Sequence, residues 1–192
     1  MTIAFDLDEV LSDTLSALIT FHNQTYGTSL TREQFNTYNW HDVWGGTKDE
    51  AVAKFFQFAK SEHFRNVQPV KHAVEAVQKL HQNHELIVIT SRQIELLDDT
   101  QNWINRYFPQ MFRQVFVTNH PNWAITGKTT TKTEVCRSEK VSVMIEDSLD
   151  YAKECVSEET DVILLNYPWN VGATPAGITR VNSWAEIVEK MQ

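Results

Sequence analysis

Short runs of apolar, β-branched residues separated by helical segments constrain this 192-residue chain more than any other feature. Ile3 to Leu7, Leu86 to Ile89, Val141 to Ile145 and Val162 to Leu165 are too continuously apolar to leave one face in water. Strands of that kind are buried on both faces, the condition of a parallel sheet. Gln114 to Val117 is a fifth candidate. Between the runs, Val70, Ala73, Val74, Val77 and Leu80 recur at helical spacing. Ile94 to Phe108, Thr133 to Ser138, Leu149 to Val156 and Ala185 to Met191 continue the alternation. The pattern predicts an α/β fold built on a doubly wound parallel sheet.

One interval breaks the rhythm. From Ser12 to Gln68 there is no strand signal, only helical segments such as Leu15 to Tyr26 and Glu50 to Lys60, with many aromatic residues. The expected organisation is an α/β core from residues 1–11 and 69–192, with a small helical cap, 12–68, inserted after the first strand. Trp40 and Trp44 in the cap have two readings: stacking on a ligand's base, or packing in the insertion's own small core.

Charge narrows the partners. With 17 Lys and Arg against 25 Asp and Glu, the net charge is −8, unsuited to a nucleic-acid polymer. A small phosphorylated metabolite remains compatible if local positive charge meets it. Cys136 and Cys155 are too few for a disulfide framework and read as buried, inert thiols. The chain opens on Thr2-Ile3-Ala4-Phe5 and a carboxylate cluster, without the basic and apolar regions of a signal peptide. No run approaches the ~18 apolar residues of a membrane span. A soluble, cytoplasmic chain without membrane contact is expected.

Three strand ends carry the polar residues suited to metal or phosphate. Asp6-Leu7-Asp8 closes the first run, Thr90-Ser91-Arg92 the second and Glu146-Asp147 the run Val141 to Ile145. In an open α/β sheet the carboxyl ends of the strands form the ligand crevice. Adjacent acids there repel unless a cation binds or one takes a proton. The rival reading makes Asp8 or Asp13 a helix N-cap and leaves Asp6 solvated. Lys132 opens a helix whose N-terminus lies at the same edge, where it would supply positive charge; it is preferred over Lys128 because it begins that helix. Arg92 would contact substrate or pair with Glu95, and Asn166 to Asn170 would border the site or pack a turn. Gly127-Lys128-Thr129 lacks the first glycine of a P-loop, since Asn122 stands there. His81 and His84 lack further zinc ligands nearby, and Gly45-Gly46 reads as a cap turn.

Asp6-Leu7-Asp8-Glu9-Val10, Thr90, Lys132 and Glu146-Asp147, in this order after apolar runs, resemble the four motifs of the haloacid dehalogenase superfamily. The opening motif, Thr90-Ser91-Arg92 and the helix from Lys132 are similar to the 5′-(deoxy)nucleotidase branch. The resemblance implies a Rossmann-like core and a phosphatase. It makes Asp6 a nucleophile that forms an aspartyl-phosphate, and Asp8 the acid and base. Thr90, Ser91, Arg92 and Lys132 would bind the phosphate. Asp6, the Asp8 carbonyl and Asp147 would hold Mg²⁺, with Glu146 acting through a water. Two departures stand out: Glu9 replaces a frequent glycine, and Tyr151 stands where a second aspartate is common. The expected substrate is a nucleoside 5′-monophosphate. The alternatives are a sugar- or glycolate-phosphate phosphatase and a phosphate-ligand binding module without turnover.

Overall fold

The computed structural model describes residues 1–118 and 130–191. Lys128 and the Gly127-Lys128-Thr129 stretch lie outside the described residues. Six parallel strands form one sheet: β1 (Thr2–Phe5), β2 (Glu85–Thr90), β3 (Gln114–Val117), β4 (Val141–Glu146), β5 (Asp161–Leu165) and β6 (Ile178–Val181). Their order is β3-β2-β1-β4-β5-β6, so the winding reverses between β1 and β4. That reversal opens a crevice at the carboxyl ends of these two strands.

Side chains alternate along each strand, and both faces are covered. Ile3, Phe5, Leu86, Val88 and Ile145 enter one apolar cluster with α5 (Ala73–His81), α6 (Leu97–Tyr107) and α9 (Trp184–Lys190). Ala4, Ile87, Ile89, Met144 and Leu164 enter a second with α7 (Lys132–Ser138) and α8 (Leu149–Cys155). Two-sided burial is what the continuous apolar runs demand. Cys136 and Cys155 lie in the second cluster as free thiols. Among the described residues no helix is long and apolar enough to cross a membrane.

Two features differ from the sequence-based expectation. The first strand ends at Phe5, not Leu7: after Asp6 donates to the Ile145 carbonyl, the chain coils so that Leu11 and Ser12 both donate to Leu7. Glu9 sits in that turn at φ 62°, the left-handed region that favours glycine. The sheet also gains β6, an edge strand in which only Ile178 and Val181 are buried, too weak a pattern to predict.

Between β1 and β2 run α1 (Thr14–Tyr26), α2 (Trp40–Trp44), α3 (Lys48–Ala59) and α4 (Glu62–Arg65). They surround a third apolar cluster that includes Leu18, Phe21, Phe35, Phe55, Phe58 and Phe64. Phe58 is fully buried and contacts the rings of Phe21, Phe55 and Phe64. Helix α3 begins at a capping box in which Thr47 and Glu50 satisfy each other's backbone amides.

Candidate active site

The carboxyl ends of β1, β2 and β4 and the insertion enclose a cavity of about 510 Å³. It brings together Asp6, Asp8, Thr90, Ser91, Arg92, Lys132, Glu146 and Asp147. Lys132 is buried at the start of α7, where Thr131 and Glu134 form a capping box. Its Nζ lies 2.9 Å from Asp6 Oδ1 and 2.7 Å from Glu146 Oε2. Burial opposes the ammonium charge, but the two carboxylates outweigh it and hold the Lys132 pKa well above the ordinary value.

Asp6, Glu146 and Asp147 are buried, and one ligand oxygen from each lies within 4.8 Å of the others. Glu146 Oε1 accepts the backbone N–H groups of Asp147 and Ser148 at 3.2 and 3.1 Å. Burial pushes the Asp6 carboxyl up to about 7, against the pull of Lys132. Burial, then the charges of Glu146 and Asp6, raises Asp147 well above the carboxylate range. One ammonium does not balance three carboxylates, and the donors are all oxygen. The trio therefore fits a hard cation such as Mg²⁺.

Asp8 has a different environment. Arg92 donates to it twice, Nε to Oδ2 at 3.0 Å and Nη2 to Oδ1 at 2.7 Å, and the Thr14 hydroxyl adds a short bond. Burial works to raise its pKa, but Arg92, Thr14 and Ser12 outweigh it and hold Asp8 below the ordinary value. Pairing of Arg92 with Glu95 is thus replaced by a half-buried pair with Asp8, supported by Thr100. Asp13 stands at the N-cap of α1 but its side chain accepts no helix amide and pairs with Arg32; the Leu15 amide donates instead to Glu9 Oε1 at 2.7 Å.

Thr90 Oγ1 accepts the Arg92 amide at 3.2 Å, and the Ser91 hydroxyl lies 3.2 Å from that of Thr118. Tyr151 offers no carboxylate; its ring stands 4.5 Å from Lys132 Nζ. The two cap tryptophans meet edge-on at 5.7 Å and both pack against the cap cluster. Trp40 also lines the cavity, and Trp44 stacks on His22 at 4.8 Å. In the turn after β5, Trp169 borders the cavity while Asn170 braces the backbone, donating to the carbonyls of Asp147 and Leu165.

Sequence reasoning missed Tyr38. Its hydroxyl donates to Asp147 Oδ2 at 2.9 Å across 109 positions of sequence, a separation that no spacing rule reaches. Trp169 Nε1 donates to the same oxygen at 2.9 Å. The Tyr38 ring is half-exposed, but its hydroxyl end lies in the cavity beside Asp147, where loss of water and the Asp147 charge push the phenol well up, so it remains a donor.

The family described as 5′ nucleotidase, deoxy (Pyrimidine), cytosolic type C protein matches residues 1–192. The chain belongs to this family. It is a nucleotidase-family phosphatase of the haloacid dehalogenase superfamily. An inferred nucleotidase from Halalkalibacterium halodurans is 26% identical over 182 residues, covering 94% of this chain and 87% of the relative. An inferred 5′(3′)-deoxyribonucleotidase from Staphylococcus epidermidis is 28% identical over 123 residues, covering 60% of this chain and 64% of the relative. Among solved structures, a haloacid dehalogenase-like hydrolase from Streptococcus pneumoniae superposes with a TM-score of 0.69 at 14% identity, covering 100% of this chain and 98% of the other. The haloacid dehalogenase-type hydrolase YfnB from Bacillus subtilis, bound to magnesium, gives 0.65 at 14% identity, covering 99% and 97%. These structural likenesses show the shared fold.

Proposed function

We propose that this nucleotidase-family chain hydrolyses a nucleoside 5′-monophosphate through a phosphoryl-aspartate on Asp6, with Mg²⁺ held by Asp6, Asp147 and the Asp8 carbonyl. Glu146 would act on the ion through a water. The observation that carries the reading is Lys132 bonded to both Asp6 and Glu146 beside Asp147, at the switch point of the sheet. Bound magnesium would offset the carboxylate charge and polarise the phosphoryl oxygens. Its presence in the B. subtilis relative adds support.

The remaining chemistry belongs to the chain's own residues. Asp6 attacks phosphorus and the leaving 5′ oxygen takes a proton from Asp8. Lys132, Thr90 and Ser91 meet the charge spread over the phosphoryl oxygens. At rest Arg92 holds Asp8 ionised, the form that later activates water. A phosphate arriving beside Arg92 shares the guanidinium and adds negative charge, raising the Asp8 pKa so that it carries the first proton. Residues 12–68 act as a cap over the core of residues 1–11 and 69–192, excluding bulk water during transfer. Phe35, Tyr38, Trp40 and Phe55 line the cap side of the cavity, apolar surface that suits a nucleobase better than a small sugar phosphate.

A phosphate-release screen with added Mg²⁺ tests this. Nucleoside monophosphates should exceed sugar phosphates and phosphoglycolate in kcat/KM by about tenfold or more, the size of one apolar contact. Equal or greater turnover of the sugar phosphates overturns the substrate assignment.

A further inference from the structure

Asp147 is buried, yet its Oδ2 is held by two donors from separate parts of the chain. The Tyr38 hydroxyl and Trp169 Nε1 each lie 2.9 Å from it. Rotating this carboxylate would break both bonds. Trp169 is itself immobilised: its ring stacks on Tyr167 at 4.5 Å and 11°, and the Arg32 guanidinium lies 5.3 Å from the Tyr167 ring centre and 5.6 Å from that of Trp169. Arg32 is anchored by Glu9 and Asp13, and the Tyr167 hydroxyl donates to the Glu9 carbonyl at 2.9 Å. Tyr38 differs. It belongs to the insertion and remains 47% exposed, so apolar burial does not account for its position. Its contacts with the core include the Asp147 hydrogen bond, the Ser148 hydroxyl and an edge-on approach to Trp169 at 6.1 Å.

We propose that Tyr38 and Trp169 are positioning residues that fix Asp147 as a cation ligand, and that Tyr38 makes cation binding depend on the seating of the insertion. The inference rests on the metal reading above. Trp169 supplies a donor carried by the core and stacked on Tyr167, with Arg32 of the insertion over its ring. Tyr38 supplies one only when the insertion is seated. By reciprocity, a cation that favours the doubly held carboxylate favours the seated insertion to the same degree. Partners of metal ligands are commonly worth 10- to 100-fold in affinity.

Mn²⁺ binding followed by electron paramagnetic resonance, without substrate, tests the claim on the full chain. Tyr38→Phe and Trp169→Phe should each weaken binding about tenfold. Amide exchange across residues 31–44 should slow on Mn²⁺ addition in the parent protein and stay unchanged in Tyr38→Phe. The half-exposed Tyr38 makes that variant safe for folding if Trp169→Phe is not. Parent protein that binds Mn²⁺ while both variants bind equally well overturns the inference alone. Parent protein that binds no Mn²⁺ overturns the metal reading and the inference with it.

Discussion

Lys132 stands between Asp6 and Glu146 at 2.9 and 2.7 Å, so Lys132→Met would strand two buried carboxylates without their counter-charge. Removing one partner of a buried pair is expected to lower stability by about 3–5 kcal/mol, read by urea unfolding. A loss under about 1 kcal/mol would mean that the acids are already neutralised by protons. Asp6 adds a pH dependence, since its ordinary value of 3.8 rises to about 7 in the folded, metal-free chain. The folded state then keeps a proton that the unfolded state releases. Its contribution is complete below the ordinary value and is lost as pH rises through about 7. Melting temperature without metal should therefore fall across that window, and Asp6→Asn should flatten the fall. A cation must displace the same proton, so the stabilisation by Mg²⁺ should grow as pH rises through the window. Asp6, Asp8, Lys132 and Asp147 were legible because each sits at the end of an apolar run or the start of a helix. Arg92 was legible only as a charge, because its partner Asp8 is 84 positions away. Tyr38 gave no signal at all, since nothing local distinguishes it from the other cap aromatics.

The turn after β1 shows how an element absorbs a residue that its backbone disfavours. Glu9 holds φ 62°, but its carboxylate accepts the Leu15 amide and pairs with Arg32, while its carbonyl accepts the Tyr167 hydroxyl. Glu9→Gly would relieve about 1 kcal/mol of backbone strain. It would also remove a helix cap and a mostly buried ion pair, each of comparable or larger size. A net loss of about 1–3 kcal/mol in denaturant unfolding is expected; a gain would show that strain dominates. Four of the six strands were readable because burial on both faces forces apolar continuity; β3, an edge strand with no fully buried residue, gave a weaker signal through Val115, Phe116 and Val117. Strand β6 was not, since an edge strand is covered less completely and its Arg180 turns to Asn170 and the Gly172 carbonyl instead.

Across the whole molecule, the net charge of −8 divides into two kinds of acid. Most are spread over helices and turns, where solubility accounts for them. Asp6, Glu146 and Asp147 instead meet where the sheet reverses direction, and they would repel a phosphate unless a cation intervened. The insertion supplies most of the third apolar cluster, which Leu96 and Trp169 join from the core. Phe58→Ala should destabilise it by about 3–5 kcal/mol, seen as faster amide exchange in α1 and α3 than in the sheet. Uniform acceleration would mean that insertion and sheet unfold as one unit. Whether Asp6 takes the phosphoryl group is read by acid-quench mass spectrometry during turnover with Mg²⁺. A phosphoryl adduct is expected on the peptide bearing Asp6, absent from Asp6→Asn together with phosphate release. Undiminished phosphate release by Asp6→Asn, with no adduct in the parent protein, would contradict it.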